Sequence, residues 1–133
     1  VGHTASDLVL YLPEEKIAFM SDLLFINMHP YLPSGFPDRW KESLGMVEAL
    51  GIQTAVPGHG PVGRSSDLSV MTQYIQSLEN IVTNMVKSGR SLEEVSLQPI
   101  PSQFETWLLF FDDFFVSNLQ FLYKCIAQGL EKK

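Results

Sequence analysis

Apolar positions fall into two regimes along the chain: short runs up to about residue 60, then a spacing of three and four residues beyond it. Residues 7–12 and 16–20 are brief apolar runs joined by Pro13-Glu14-Glu15. They predict a β-hairpin, with proline favouring the turn. A loop rich in proline and glycine follows, through Asn27, His29, Pro30, Pro33, Ser34, Gly35 and Pro37. Trp40, Leu44, Val47 and Leu50 then recur at helical spacing, which predicts a helix over 38–50 that Gly51 stops. A strand over 52–56 runs into Pro57-Gly58-His59-Gly60-Pro61.

The remainder reads as helical. Ser66 is placed to cap a long helix whose stripe is Leu68, Met71, Ile75, Leu78, Val82 and Met85, with Gly89 ending it. Ser91 and Glu94 match a capping box, and Pro99 and Pro101 terminate that short helix. A last helix is expected from Asp112 or Asp113 to about Gln128, with Phe115, Leu119, Leu122 and Ile126 on its apolar face. The order β-β-α-β-α-α-α indicates an α/β layer. Residues 1–133 read as one folded unit, with strands and loops over 1–63 and a helical layer over 64–133.

Composition narrows the function. Apolar residues make up 45% and charged residues 18% of 133, and mean hydropathy is +0.07, which excludes intrinsic disorder. Nine Lys and Arg against fifteen Asp and Glu leave a net charge of −6. Nucleic acid and anionic membranes need clustered cations, so neither is expected as a partner. Lys87, Arg90 and the tail Lys132-Lys133 are dispersed charges. The run 107–116, interrupted by Asp112 and Asp113, is far short of the roughly 20 apolar residues of a membrane span. Cys125 is the sole cysteine, in an apolar setting that reads as a core thiol. No disulfide framework or multi-cysteine zinc cluster is therefore expected, and a cytoplasmic location fits.

Three segments set a metal-capable side chain at the mouth of a strand: Gly2-His3-Thr4-Ala5-Ser6-Asp7, Phe19-Met20-Ser21-Asp22-Leu23-Leu24-Phe25 and Pro57-Gly58-His59-Gly60-Pro61. Any one of them alone is more often a turn than a ligand. Together they put two of the three histidines in glycine-flanked turns, in the order His, Asp, His. Imidazole with carboxylate suits zinc, and also iron or manganese.

This succession resembles the metallo-β-lactamase fold superfamily over about residues 1–63, with the later helices fitting more loosely. The resemblance implies the C-terminal half of an αββα sandwich, a short sheet with helices packed on one face. It implies a two-metal site in the complete domain, zinc foremost, in which His3 binds one ion, His59 the other, and Asp22 bridges them. It also implies that His29, in the loop after Asp22, is a candidate for the substrate cleft; a partly exposed loop histidine is the plainer reading of that residue. The family's His-x-His-x-Asp-His signature, which supplies most ligands, occurs nowhere in the chain, and the chain begins at Val1 rather than Met. The expected partner is thus the N-terminal half of the same domain. Without it, the chain is expected to be inactive, with its three ligands divided between two metals, too few to close either site, and with no metal held as one outcome.

Two functions follow as expectations. The first is the C-terminal portion of a metal-dependent hydrolase of small ester, thioester, lactone or β-lactam substrates. The second is a non-catalytic module that self-associates, or packs on a partner, through the face left by the missing half. A homo-oligomer is expected of the isolated chain on either account. The aromatic cluster Trp107, Phe110, Phe111, Phe114 and Phe115 is too dense for one helical face. It is expected to be mostly core, with some members lining a lid or partner surface.

Overall fold

A computed structural model describes residues 1–111 and 113–127. The expected helix limits at Asp112 and Gln128, and the Lys132-Lys133 tail, lie outside the described residues. The hairpin forms as β1 (Leu10–Leu12) and β2 (Ile17–Phe25), antiparallel with Leu10 opposite Phe19. Helix α1 (Pro37–Glu48) then crosses to β3 (Thr54–His59), which pairs parallel with β2, and β4 (Gly63–Arg64) returns antiparallel to β3. The sheet order is β1-β2-β3-β4. Helices α2 (Ser66–Lys87), α3 (Leu92–Ser96) and α4 (Phe114–Ala127) complete the described residues, with a 3-10 turn at Ser102–Phe104.

Helices cover one face of the sheet. Ala18, Met20 and Ala55 are fully buried beneath Trp40 and Leu44 of α1 and Leu68, Met71, Ile75 and Leu78 of α2, within one hydrophobic cluster. Apart from Leu50, the helical stripes read from the sequence therefore pack into this core. The opposite sheet face is bare and apolar: Leu10 is 60% and Phe19 40% exposed, and Leu8, two residues ahead of β1, is 83% exposed. Because Leu10 opposes Phe19 and Phe19 opposes Val56, these side chains share one face.

Several boundaries differ from the sequence reading. Leu50 lies beyond α1 and is exposed, because the helix ends before it. Ser66 is the first residue of α2 rather than its cap; Ser65 takes the cap position without a side-chain bond. The Asp67 carboxylate instead accepts from the Arg64 N–H at 2.7 Å and ties β4 to the helix start. The capping box of α3 forms as read, with Ser91 and Glu94 each accepting from the other's backbone N–H. On α4, Phe115, Leu119 and Leu122 are buried with Asn118 and Cys125, whereas Ile126 only flanks the core.

Strand β2 runs five residues beyond its expected end and β3 three, through the proline and glycine of its own turn motif. The two-residue strand β4 had no periodicity to reveal it.

Candidate functional site

A bulge positions Asp22. Phe19 opposes Val56, Ser21 opposes Pro57 and Phe25 opposes His59, so β2 advances six residues while β3 advances three. Ser21 enters this irregularity with a left-handed φ of 50°, a conformation that costs a non-glycine residue on the order of 1 kcal/mol. The surplus residues stand out from the ladder, and Asp22 is among them.

His59 ends β3 beside it, with Nε2 3.3 Å from Asp22 Oδ1. The glycines around His59 have neighbours that explain them. A Cβ on Gly58 would collide with Asp22 Oδ1 and the Ser21 backbone. Gly60 has φ of 102°, and a Cβ there would strike the Ile26 carbonyl. The two glycines thus let β3 close against β2. The Phe25 ring stacks on His59 at 4.9 Å and holds its plane.

His3 arrives from the N-terminal segment, with Nδ1 3.9 Å from Asp22 Oδ2. The Gly2 carbonyl accepts from Phe36 N–H at 2.7 Å, and the Asp7 carboxylate accepts from the Thr4 backbone and hydroxyl. Asp7 is therefore a turn staple within the first motif. Trp40 sits edge-on to the His3 ring at 5.3 Å, and its indole N–H donates to the Leu23 carbonyl at 2.8 Å.

His3, Asp22 and His59 meet at a cleft of about 180 Å³ whose other walls are Phe25, Tyr31, Phe110, Phe111 and Phe114. Two imidazoles flanking one carboxylate are donors of the type zinc, iron and manganese accept. They do not close a site: among the described residues, no group of three or more His, Cys, Asp and Glu is set to hold a metal ion. Asp22 shared between the imidazoles leaves two donors on each side, one short of the three protein ligands usual for a catalytic zinc.

His29 lies elsewhere. It is fully buried, neither a cleft residue nor a partly exposed loop histidine. Its surroundings form a directional hydrogen-bond chain. Asn118 Oδ1 accepts from Leu32 N–H at 2.8 Å, while Asn118 Nδ2 donates to the Pro30 carbonyl at 2.8 Å and to Tyr74 Oη at 3.2 Å. An N–H can only donate and a carbonyl only accept, so the amide orientation follows. The Tyr74 hydroxyl lies 3.0 Å from His29 Nδ1, and which of the two donates follows the imidazole tautomer; the other ring nitrogen is Nε2. That Nε2 is buried without a hydrogen-bond partner of good geometry among the described residues. Burial pushes the His29 pKa below its usual value, partly offset by the Phe104 backbone. Burial likewise pushes the Tyr74 hydroxyl upward.

The aromatic cluster divides. Phe115 is buried, and Trp107 stacks on Tyr74 at 5.3 Å. Phe110 and Phe111 are 57% and 58% exposed and line the cleft. Tyr31, in the proline-rich loop, was missed as a cleft residue; it touches Phe114 at 5.0 Å, 83 positions away in sequence, and carries no local signal. A broader groove of about 520 Å³ beside Asn84, Ser88, Arg90 and Glu94 is a weaker candidate. Its polar groups already serve each other: Arg90 pairs with Glu94, and Ser88 donates to the Asn84 carbonyl.

No protein-family model matches the sequence, and no curated protein matches it significantly. Solved structures do. The crystal structure of VMB-1 at pH 5.5 is 30% identical over 57% of this chain and 37% of that one, with a TM-score of 0.52. A metallo-β-lactamase from Pontibacter korlensis is 30% identical over 56% and 37%, with a TM-score of 0.51. The DIM-1 metallo-β-lactamase exposed to ceftazidime is 25% identical over 57% and 37%, with a TM-score of 0.52. The chain spans about 37% of the length of each of these. Its four-stranded sheet and four helices are a partial match to the metallo-β-lactamase fold.

Proposed function

We propose that this chain is the C-terminal portion of a metal-dependent hydrolase and contributes His3, Asp22 and His59 as metal ligands. The observation that carries this reading is the meeting of the three side chains at one cleft from positions up to 56 residues apart. Zinc is the first candidate ion, with iron or manganese as alternatives. Metal bound there would supply Lewis acidity and lower the pKa of water. The chain's own residues hold the donors in place: the β2 bulge presents Asp22, Gly58 lets His59 approach it, and Trp40 and Phe25 flank the His3 ring. The remaining ligands come from outside the described residues, in an N-terminal half that packs on the bare face of Leu8, Leu10 and Phe19 and completes an αββα sandwich.

The substrates are small esters, thioesters, lactones or β-lactams. Among the described residues no Lys or Arg lines the cleft, which weighs against a nucleic-acid substrate. No helix among the described residues is long and apolar enough to cross a membrane. The cytoplasmic setting is the reading of the single, buried Cys125. The test is metal content and ester turnover of the gene product that contains this chain. Wild type should retain zinc through dialysis, and Asp22→Ala and His59→Ala should lose it together with turnover. Unchanged metal content in both variants overturns the assignment.

The bare sheet face favours a second reading, in which the chain is a non-catalytic module that self-associates through Leu8, Leu10 and Phe19. Light scattering of the chain should then give a dimer or larger species. A monomer at high concentration refutes it.

A further inference from the structure

The cleft has two chemically distinct ends. His3, Asp22 and His59 form one; Tyr31, Phe110, Phe111 and Phe114 form the other. The aromatic rings make a continuous wall: Phe110 contacts Phe111 at 5.1 Å, Phe111 contacts Phe114 at 5.2 Å, and Phe114 contacts Tyr31 at 5.0 Å. It reaches the polar end directly, with the Phe110 ring edge-on to His59 at 5.9 Å.

Two features separate this wall from ordinary surface aromatics. Its base is anchored, because Leu108 N–H donates to the Asn27 carbonyl, His29 N–H donates to the Leu108 carbonyl, and Trp107 stacks on Tyr74. Phe110 and Phe111 nevertheless remain more than half exposed, side by side, at the rim of a concave space. Scattered exposed apolar residues are normal, whereas a contiguous apolar patch rimmed by polar groups marks a binding surface. The cleft's volume of about 180 Å³ can be set against the roughly 150 Å³ of an apolar cavity that takes benzene. One ring, with a carbonyl at the polar end, fits that space.

We propose that Tyr31, Phe110, Phe111 and Phe114 form a specificity pocket, and that the substrates of this site carry an aromatic or bulky apolar group next to the bond that is cleaved. This rests on the hydrolase reading above and narrows its substrate class. The wall binds the apolar group by burial and offset or edge-to-face ring contacts. The polar end then receives the carbonyl. Short acyl groups such as acetyl leave the wall wet and bind weakly.

Binding of neutral, unreactive amides to the metal-free gene product that contains this chain tests the proposal. Titrations with 3-phenylpropanamide and propanamide are followed by NMR at the His59 ring and the cleft aromatics. The phenyl amide should bind at least ten times more tightly and shift the resonances of His59 and Phe110. Phe110→Ala and Phe111→Ala truncate exposed rings, so both variants should keep the wild-type spectrum elsewhere and bring the affinity ratio to within about two. Equal affinities in the wild type overturn the proposal, as does a ratio that survives in both variants, or phenyl-amide shifts at the bare sheet face alone. The probes need no metal and undergo no reaction. Failure of zinc binding would therefore remove the hydrolase reading without changing this result, and equal amide affinities would remove the pocket while zinc binding stood.

Discussion

Truncating Asn118 to alanine should cost this protein about 3 kcal/mol. The side chain is fully buried on α4 and holds the 30–32 segment from 86 to 88 positions away in sequence. Its removal strands the Leu32 N–H and the Pro30 carbonyl, both buried. A buried polar group left without a partner costs about 1–3 kcal/mol. Taking about 1.5 kcal/mol for each of the two gives the 3 kcal/mol, before any gain from a water entering the gap. A typical domain has only about 5–15 kcal/mol in total, so the effect is large. Equilibrium urea unfolding, followed by Trp fluorescence, measures it as a lower midpoint at unchanged m value. The cleft should respond as well, since Tyr31 lies between the two released groups and lines it. A loss below about 1 kcal/mol would refute the hydrogen-bond chain drawn from Asn118 through Tyr74 to His29.

Acid should weaken the fold through His29. Its pKa is lowered in the folded state, so the unfolded chain takes up the proton first as pH falls. The stability it contributes is fully present above the ordinary value of 6.5 and is lost as pH falls from there through the folded value. Within that window the slope is about 1.4 kcal/mol per pH unit; urea midpoints for His29→Gln should lack this component, and identical slopes would sink the assignment. Glycine-to-alanine changes should have opposite signs at two positions. Gly58→Ala drives a Cβ into Asp22 and the Ser21 backbone and should cost about 2 kcal/mol in thermal unfolding, whereas Gly45→Ala in α1 meets open space and should stabilise by up to about 1 kcal/mol. Trp40→Phe keeps a ring but leaves the buried Leu23 carbonyl unpaired; chemical denaturation should show a loss of about 1–3 kcal/mol.

Much of the architecture was legible because local rules carry it. The stripe of α2, the capping box at Ser91 and Glu94, and the hairpin at Pro13 depend on residues within a turn or two of one another. The three motif residues His3, Asp22 and His59 were legible too, as polar side chains in turn-rich settings at the ends of apolar runs. Their meeting at one cleft is a tertiary fact, and so is the means. The β2 bulge and the fit of Gly58 against Asp22 exist only once β2 and β3 pair. From sequence, the glycines around His59 read as room for a ligand; in the fold, they are room for a neighbouring strand.

The sequence by itself determined the helices, the hairpin and the residue types available for metal chemistry, because periodicity and turn chemistry are short-range. The tertiary structure alone decided which polar groups do what. It drew His29 into the core, where Tyr74 of α2 meets it and Asn118 of α4 in turn donates to Tyr74. It also split one aromatic run between an anchor, half-buried Trp107 and buried Phe115, and an open wall at Phe110 and Phe111. Burial is a property of everything that packs around a side chain. No window of sequence around His29 or Phe110 contains the residues, 45 to 86 positions away, that settle it.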